Sequence, residues 1–285
     1  MKPEFNSVRR LAADIRIHTI RAMEKFGAGH IGGSVSIADI LAVLYGRVLR
    51  YKAEDPSWED RDFLVLSKGH CGPALYAALA LSGFFPMDWL DTLNQGGTRL
   101  PSHCDRNQTP GIDATTGSLG QGISIACGLA QGVALKNKSN LTYAIVGDGE
   151  LQEGQVWEAV QFSVNRKLDR LVILVDDNGK QLDGPTISKE IDLAGKFKSF
   201  GCEVHKVNGQ DVEVIATLLE KIRDSKGNSK PIVVILQTIK GCGCIFAEEK
   251  ELNHHMPVSA EDANRAVDEI ERRLAAGLLP GGGAA

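Results

Sequence analysis

Long apolar runs are missing from this chain of 285 residues. No stretch approaches the roughly 20 apolar residues that a membrane-spanning helix needs. The first residues, MKPEFNSVRRLAAD, contain no apolar signal region. The formal net charge is −4, so the basic excess that nucleic acids and anionic membranes attract is also absent. We therefore expect a cytoplasmic protein that binds neither nucleic acid nor membrane.

Closely paired cysteines of the C-x-x-C type are also lacking, which argues against a structural zinc site. Cys242 and Cys244 are separated by one glycine, too close for ordinary tetrahedral ligation. We expect reduced, partly buried thiols at all of the cysteines, which are Cys71, Cys104, Cys127, Cys202, Cys242 and Cys244.

What the chain does contain is an alternation of helical and strand patterns. With 43% hydrophobic and 24% charged residues, it has the composition of a globular protein. Apolar runs predict strands at 62–67, 141–146, 171–175, 203–207 and 231–238. Helical spacing predicts helices at 7–26, 36–48, 120–136, 190–199, 211–224 and 259–274, and one that begins at Pro73. Ser7 and Ser36 are the predicted N-caps of the first two.

Strands that alternate with helices favour an α/β fold, with a parallel sheet covered by helices on both faces. We expect one domain over residues 1–275 and a disordered tail over 276–285. A long loop rich in glycine and proline, from about 94 to 118, interrupts the alternation. Its length for a structureless connection suggests a role in binding.

The most informative segment runs from Gly147 to Asn178. A predicted strand leads into Gly147-Asp148-Gly149, and the next strand ends in Asp176-Asp177-Asn178. Asp148 and Asn178 would place oxygen ligands at the carboxyl ends of neighbouring strands, where a parallel sheet can hold a magnesium diphosphate. Asp-Gly is also ordinary turn chemistry, so the triplet alone would be weak. The second strand and its asparagine make the site the stronger interpretation.

Taken together, the motifs resemble the N-terminal, thiamine-diphosphate-binding half of transketolases, in the form encoded as a separate subunit. The resemblance covers nearly all of residues 7–272. The matching segments, in chain order, are Gly29-His30, Ser67-Lys68-Gly69-His70, His103, TTGSLGQG at 115–122, the GDG segment, Asp176-Asp177-Asn178 with Asp183-Gly184, NGQD at 208–211, and Lys240-Gly241 before His254.

This resemblance implies two cofactors, Mg²⁺ and thiamine diphosphate. The metal would be bound by Asp148, Asn178 and the backbone carbonyl of Lys180. Gly149 would donate its amide to the diphosphate, and Leu119 would support the rings of the cofactor. The complete set of cofactor-binding residues that the resemblance implies is His70, Gly117, Leu119, Gly149, Glu150, Asn178 and His254.

Four histidines are the implied catalytic residues. His30, His70 and His103 would surround the reacting carbon, and His254 would reach the cofactor. A neutral imidazole can shuttle a proton or donate to a developing alkoxide. His254 adjoins His255, and matching Pro257 to the family pattern favours His254. A catalytic dyad of His70 and Cys71 is the weaker alternative, because sequence neighbours rarely face one site.

The resemblance also implies a twofold interface. Glu153 and Glu158 match glutamates that lie buried between the two cofactor sites of a dimer, and Trp157 stands beside them. Val156, Trp157, Ala159 and Val160 make this helix apolar on more than one face, which favours burial against a second copy. Ordinary exposed helix charges are the alternative.

The implied activity is transfer of a two-carbon ketol unit from a ketose phosphate to an aldose phosphate. A second subunit, the C-terminal pyrimidine-binding half, would supply the glutamate that activates the cofactor and most of the groups that hold the sugar phosphate. We expect an α2β2 assembly with that partner. Two alternatives remain open: a ketol-transferring synthase for a rarer sugar in a catabolic pathway, and a non-catalytic cofactor-binding module.

Overall fold

The centre of the fold is a parallel sheet of five strands. The structure, a computed structural model, describes residues 3–187, 191–225, 227–278 and 280. Most of the predicted disordered tail lies outside these residues and remains a prediction. The five strands are β2 (Phe63–Leu66), β3 (Thr142–Gly147), β4 (Leu171–Asp177), β7 (Glu203–Asn208) and β8 (Ile232–Gln237). Their order across the sheet is β2-β3-β4-β8-β7.

Helices cover both faces of this sheet, as the alternating pattern predicted. One face packs against the larger group, which is α1 (Phe5–Phe26), α2 (Ile31–Ser36), α3 (Ala38–Val43), α4 (Gly72–Leu81), α8 (Val212–Asp224), α9 (Ile245–Glu248) and α10 (Ala260–Ala275). The other face packs against α5 (Gln121–Leu135), α6 (Gly154–Asn165) and α7 (Leu193–Ser199).

Side chains of each central strand alternate between the two cores. In β4, Val172 and Leu174 belong to the core with α1, whereas Ile173 and Val175 belong to the core with α5. Strands buried on both faces read as continuous apolar runs, which is why they were predictable. In the described part of the chain, the helices are too short or too polar to cross a lipid bilayer.

Two very short strand pairs and several single turns complete the described fold. β1 (Ala28–Gly29) pairs antiparallel with β9 (Met256–Pro257), and β5 (Lys180–Gln181) pairs antiparallel with β6 (Gly184–Pro185). The single turns lie at Leu44–Val48, Gly69–Cys71, Met87–Thr92 and Glu150–Gln152.

Both predicted serine N-caps are wrong. Helix α1 begins at Phe5, so Ser7 lies inside its first turn. Ser36 ends α2 instead of opening a helix, because its hydroxyl donates to the carbonyl of Gly33 at 3.0 Å and to the buried carboxylate of Asp176 at 2.8 Å. A serine committed to a tertiary hydrogen bond is not free to cap a helix.

Candidate active site

Polar residues follow four neighbouring strands at the same edge of the sheet. They come directly after β2, β3 and β8 and at the end of β4, and parallel strands bring their carboxyl ends together. The residues gathered there are Ser67, Lys68, Asp148, Asp176, Asn178, Thr238 and Lys240. The sequence-based placement of Asp148 and Asn178 at the ends of adjacent strands is confirmed.

Asp148 is a buried carboxylate held by backbone amides. Its Oδ2 accepts from the amides of Asn178 at 3.1 Å and Gly179 at 2.5 Å, and its Oδ1 accepts from the amide of Gly149 at 2.8 Å. Gly179 has a φ of 73°, a left-handed conformation that suits glycine. Burial, followed by the neighbouring charge of Asp176, raises the pKa of Asp148 to about 7. This carboxylate would therefore be stabilised by a cation.

Asn178 lies beside Asp148 with its amide orientation fixed. Its Nδ2 donates to Asp176 at 2.9 Å, and its Oδ1 accepts from the amide of Lys180 at 3.1 Å, which leaves one acceptor position on that oxygen. The carbonyl of Lys180 accepts from Lys240 Nζ at 3.3 Å. One carboxylate, one amide and one carbonyl suit a hard cation. Among the described residues there is no cluster of three His, Cys, Asp or Glu side chains that could hold a metal.

The backbone after Asp148 contributes differently from what we expected. The Gly149 amide, implied as a diphosphate donor, donates to Asp148. The carboxylate of Glu150 accepts from the Ser67 hydroxyl and from the amides of Gly120 at 2.8 Å and Gly147 at 3.2 Å. The Glu150 carboxylate is thus hydrogen-bonded within the chain and is not available to a ligand. Only the backbone amide of Glu150, which makes no hydrogen bond in the described structure, can donate to an anion.

Five histidines form a cluster above this edge. The ring of His30 lies 5.3 Å from His70, 5.6 Å from His103, 5.3 Å from His254 and 4.7 Å from His255, measured between centroids. His70 and His254 are 4.8 Å apart. The four histidines implied as catalytic, which come from four separate segments, therefore lie together. The geometry brings His255 into the same cluster.

Burial keeps the imidazoles of His30, His70, His103 and His254 neutral, because it lowers the pKa of each. It lowers the pKa of His30 to about 4, with His255 and His103 adding to the effect. Burial and the charge of Lys68 lower the pKa of His70 to about 2. Burial and Lys240 lower the pKa of His254 to about 3, and burial lowers the pKa of the more open His103. Near pH 7 these four histidines therefore offer neutral donors and acceptors.

A cavity of about 370 Å³ joins the histidines to the sheet edge. Its wall includes Gly117 and Leu119, as the resemblance implied. The backbone next to the lining residues His70 and Gly117 is tightly packed, because a Cβ on Gly69 would lie 2.6 Å from backbone atoms of Thr116. The remaining lining residues that carry polar side chains are His30, Lys68, His70, His103, Asp148, Glu150, Asn178, Lys180, Gln181, Asp183, Lys240 and His254.

No role was predicted for three further residues of this edge, which are Lys68, Asp176 and Lys240. Lys68 Nζ lies 2.5 Å from Asp176 Oδ2, and both side chains are buried. Lys240 Nζ donates to the carbonyl of Gln181 at 3.0 Å and lies 3.3 Å from His254 Nδ1. Burial and the charge of Lys68 lower the pKa of Lys240 to about 8. Their position in the sequence could have indicated a role in the site, because Lys68 and Lys240 each precede a glycine just beyond a strand.

The residues implied at a twofold interface have a mixed environment. Glu153 and Glu158 are exposed, and Trp157 packs against Phe197 and Phe200 at centroid distances of 4.9 and 5.1 Å. The apolar neighbours Val156, Ala159 and Val160 are buried in the core of the chain itself. They therefore do not require a second copy, and the interface remains a prediction that depends on the glutamates.

Comparison with known proteins gives one consistent result. The family model for "Transketolase, thiamine diphosphate binding domain" matches residues 7–271. The chain is 47% identical over 260 residues to a 6-deoxy-6-sulfo-D-fructose transketolase subunit of Clostridium sp. (strain MSTE9), covering 90% of this chain and 94% of that protein. It is 38% identical over 247 residues to one of the apulose-4-phosphate transketolase subunits of Actinobacillus succinogenes, covering 85% and 88%.

Solved structures agree with these relatives. Transketolase from Leishmania mexicana superposes with a TM-score of 0.84 at 30% identity, covering 97% of this chain and 42% of that one. The match thus extends over nearly all of the two subunit relatives and less than half of the longer transketolase. The site at the sheet edge, the sheet order and the family match lead to one conclusion: the chain belongs to the transketolase family, as its thiamine diphosphate binding domain.

Proposed function

We propose that this chain is the diphosphate-binding subunit of a two-subunit transketolase that, with a C-terminal partner, moves a two-carbon ketol unit from a ketose phosphate or related anionic ketose to an aldose phosphate. The observation that carries the proposal is the cluster of four neutral histidines above a buried carboxylate and amide at one sheet edge. The two subunit relatives, matched over most of their own length, support the division into two chains.

Mg²⁺ is the metal that this site fits. The oxygens of Asp148, Asn178 and the Lys180 backbone would hold it. Asp148 has a negative charge that burial leaves unbalanced, and the Asn178 and Lys180 oxygens each have a free acceptor position. The diphosphate of the cofactor would complete the metal's coordination and approach the backbone amide of Glu150. Lys68 and Lys240 add positive charge beside it.

Thiamine diphosphate, when bound, supplies the carbanion chemistry of the transfer. The chain's own contribution is to position groups around the substrate. His103, which is exposed, and His30, whose ring lies 5.6 Å away, can hold the sugar's hydroxyl and carbonyl oxygens as neutral donors. His70 and His254, held close to Lys68 and Lys240, face the cofactor side. A neutral imidazole can donate its N–H to a developing alkoxide without adding a charge of its own to the site, and a ring that takes a proton from one oxygen is charged until it returns that proton.

The proposed assembly is α2β2 in the cytoplasm. Six free, buried cysteines suit a reducing compartment. Besides Glu153 and Glu158, the neighbouring helices α5 and α6 expose Ile125 and Phe162, with 40% and 41% of their surface open. Apolar surface beside the two glutamates is what a second copy of this chain would cover.

The donor sugar is the open part of this proposal. Both subunit relatives are named for less common sugars, a sulfonated fructose and apulose 4-phosphate. The greater identity to the first favours 6-deoxy-6-sulfo-D-fructose as the donor of this enzyme. This donor corresponds to the alternative stated above, a ketol-transferring synthase for a rarer sugar. No observation favours a non-catalytic module, because the site residues lie together in a cavity of substrate size.

Purification of the chain with and without its partner tests the proposal. We expect no ketol transfer from the chain alone at any cofactor concentration, and transfer when the partner is added. The donors to compare are 6-deoxy-6-sulfo-D-fructose, apulose 4-phosphate and D-fructose 6-phosphate, each with an aldose phosphate acceptor. Activity from a homogeneous preparation of this chain would refute the two-subunit proposal, and inactivity of the assembled pair with every donor would refute the transfer itself.

A further inference from the structure

Asn253 connects three other segments of the chain beside the histidine cluster, and its side chain is only 1% exposed. The side-chain Nδ2 donates to the carbonyl of Lys240, just beyond β8, at 2.9 Å and to the carbonyl of Ala247, in α9, at 2.8 Å. The backbone carbonyl of Asn253 accepts from the amide of Gly32, in α2, at 3.1 Å. One buried residue thus links the turn after β8, helix α9 and the first turn of α2.

The side-chain amide of Asn253 has a single favourable orientation. Turning it by 180° would bring Oδ1 against the same two carbonyls, which cannot donate a hydrogen bond to it. Within the described residues, Oδ1 has no hydrogen-bond partner, and an unpaired buried acceptor costs free energy. The contribution of this side chain therefore comes from its two N–H donors, which an apolar residue of the same size could not replace.

Gly32 is packed directly against this connection. A Cβ on Gly32 would lie 2.3 Å from the carbonyl oxygen of Asn253, 3.1 Å from its Oδ1 and 3.1 Å from Cγ of Lys240. The carbonyl of Gly32 accepts from the amide of Gly241 at 2.9 Å. Gly32, Lys240, Gly241 and Asn253 therefore form a closed cycle of hydrogen bonds, which we call the Asn253 network.

The Asn253 network lies at one end of the two short segments that carry His30 and His254. The Gly29–Met256 pair of the β1–β9 ladder lies at the other end, so both segments are attached on each side of their histidines. The two imidazole centroids are 5.3 Å apart. Lys240, whose Nζ lies 3.3 Å from His254 Nδ1, belongs to the network through its own carbonyl. The relative positions of these three side chains thus depend on the network.

We propose that Asn253 is a positioning residue of the ketol transfer. Its two N–H donors hold the turn of Lys240 against the loop of His254, and so keep both side chains in place relative to His30. The inference rests on the proposed function, because it takes these histidines as groups that meet the reacting oxygens. A small displacement of such groups should slow the transfer more than it weakens binding of the sugar, since alignment matters most in the transition state.

Asn140 provides a matched control at the opposite edge of the sheet. It is 2% exposed, and its Nδ2 also donates to two backbone carbonyls, those of Glu59 at 2.9 Å and Arg61 at 2.5 Å. It precedes β3, whose other end leads into the site. Asn253→Ala and Asn140→Ala should lower the urea midpoint of unfolding by similar amounts, because each removes two buried hydrogen bonds. Only the first removal lies beside the histidines.

Steady-state kinetics of the assembled enzyme test the proposal, at saturating thiamine diphosphate and with whichever of the three donors named above the wild type turns over fastest. We expect kcat of Asn253→Ala to fall about tenfold or more, and KM for the donor to change less than about threefold. Asn253→Ser keeps one donor, so its kcat should lie between those of Asn253→Ala and the wild type, and it replaces the alanine variant if that does not fold. Asn140→Ala should change kcat less than about twofold. If kcat falls no further in the Asn253 variants than in Asn140→Ala, the proposal is overturned.

Imidazole NMR spectra of the chain without its partner separate this proposal from the proposed function. The signals of His30 and His254, identified by their loss in His30→Asn and His254→Asn, should shift in the Asn253 variants. The signal of His205, which lies on β7, should stay in place. If the assembled wild type transfers no ketol unit but these signals shift, the function fails and the positioning of the histidines by Asn253 stands. Unshifted signals, or equal shifts in Asn140→Ala, would show that Asn253 does not position the histidines.

Discussion

Lys68 and Asp176 form a buried ion pair beneath the active-site cavity, with Nζ 2.5 Å from Oδ2. Asp176 also accepts hydrogen bonds from Ser36, Asn178 and Thr238, and Lys68 donates to the carbonyl of Gly33 at 3.0 Å. Burial alone would raise the pKa of Asp176, but Lys68 and these donors outweigh it and lower the pKa. The pair therefore ties the ends of β2, β4 and β8 together.

Breaking this pair from one side should destabilise the fold. Lys68→Met leaves the charge of Asp176 without a counter-ion, and we expect the free energy of unfolding to fall by about 3–5 kcal/mol. Lys138→Met, which removes an exposed pair with Glu59 and Asp60, is the control and should change little. Urea denaturation measures both. A loss below about 1 kcal/mol for Lys68→Met would mean that Asp176 is stabilised by its other donors alone.

Removing the carboxylate of Asp148 should weaken metal-dependent cofactor binding. Asp148→Ala removes a charged ligand from Mg²⁺, an ion that requires near-ideal octahedral coordination. We expect the Mg²⁺-dependent affinity of the assembled enzyme for thiamine diphosphate to fall at least about tenfold, or about 1.4 kcal/mol. Titration calorimetry with and without Mg²⁺ provides the measurement, with Asp60→Asn, an exposed site, as control. Wild-type affinity in Asp148→Ala would show that the metal is held elsewhere.

Glu158 should matter to the assembly but not to the fold of the single chain. Because Glu158 is exposed here, Glu158→Gln should leave the melting temperature of the isolated chain unchanged. In the assembled enzyme we expect lower turnover or weaker coupling between the two cofactor sites. Gln161→Ala on the exposed side of α6 is the control. If Glu158→Gln and Glu153→Gln both leave turnover, coupling and dimer mass unaltered, the glutamates are ordinary surface charges.

Acid should destabilise the chain through its histidines. Burial lowers the pKa of His254 to about 3 and that of His30 to about 4, whereas an unfolded histidine titrates near 6.5. Below pH 6.5 the unfolded state therefore binds more protons, so stability is lost as the pH falls from about 6.5 towards 3. His254→Asn should reduce this slope in urea denaturation at pH 7.5, 6 and 5. An equal slope in the variant would show that His254 does not contribute.

The parts of the site that local sequence could predict are those at the ends of long strands. Asp148 and Asn178 follow continuous apolar runs, and a parallel sheet necessarily brings such positions together. The meeting of His30 with His254 has no comparable signal. It depends on the two-residue ladder of β1 with β9, in which Gly29 pairs with Met256. Pairings this short and this distant carry no periodicity, so only resemblance to a family could place these histidines in one site.

The contact partners of individual side chains could not be predicted from the sequence either. Ser36 and Glu150 each look like ordinary helix-end residues, yet each hydrogen-bonds to a group far along the chain, Asp176 and Ser67 respectively. Half-buried Trp157 likewise packs against Phe197 and Phe200 of the same chain, while its place at a twofold interface stays a prediction. In each case the tertiary fold, and not the local sequence pattern, determined the partner, because a buried side chain interacts with whichever group the fold brings near it.

The packing of α1 against α10 also has a consequence for the time course of synthesis. Arg10 on α1 hydrogen-bonds to Glu271 on α10, 261 residues later. At roughly 5–20 residues per second, a ribosome needs about 13–50 s to make that interval. During this time one side of the first helix has no cover, and the loop with His254 and His255 has not been made. The histidine cluster can therefore form only after residues 254 and 255 have been made, and until α10 follows them the side of α1 that packs against it stays uncovered.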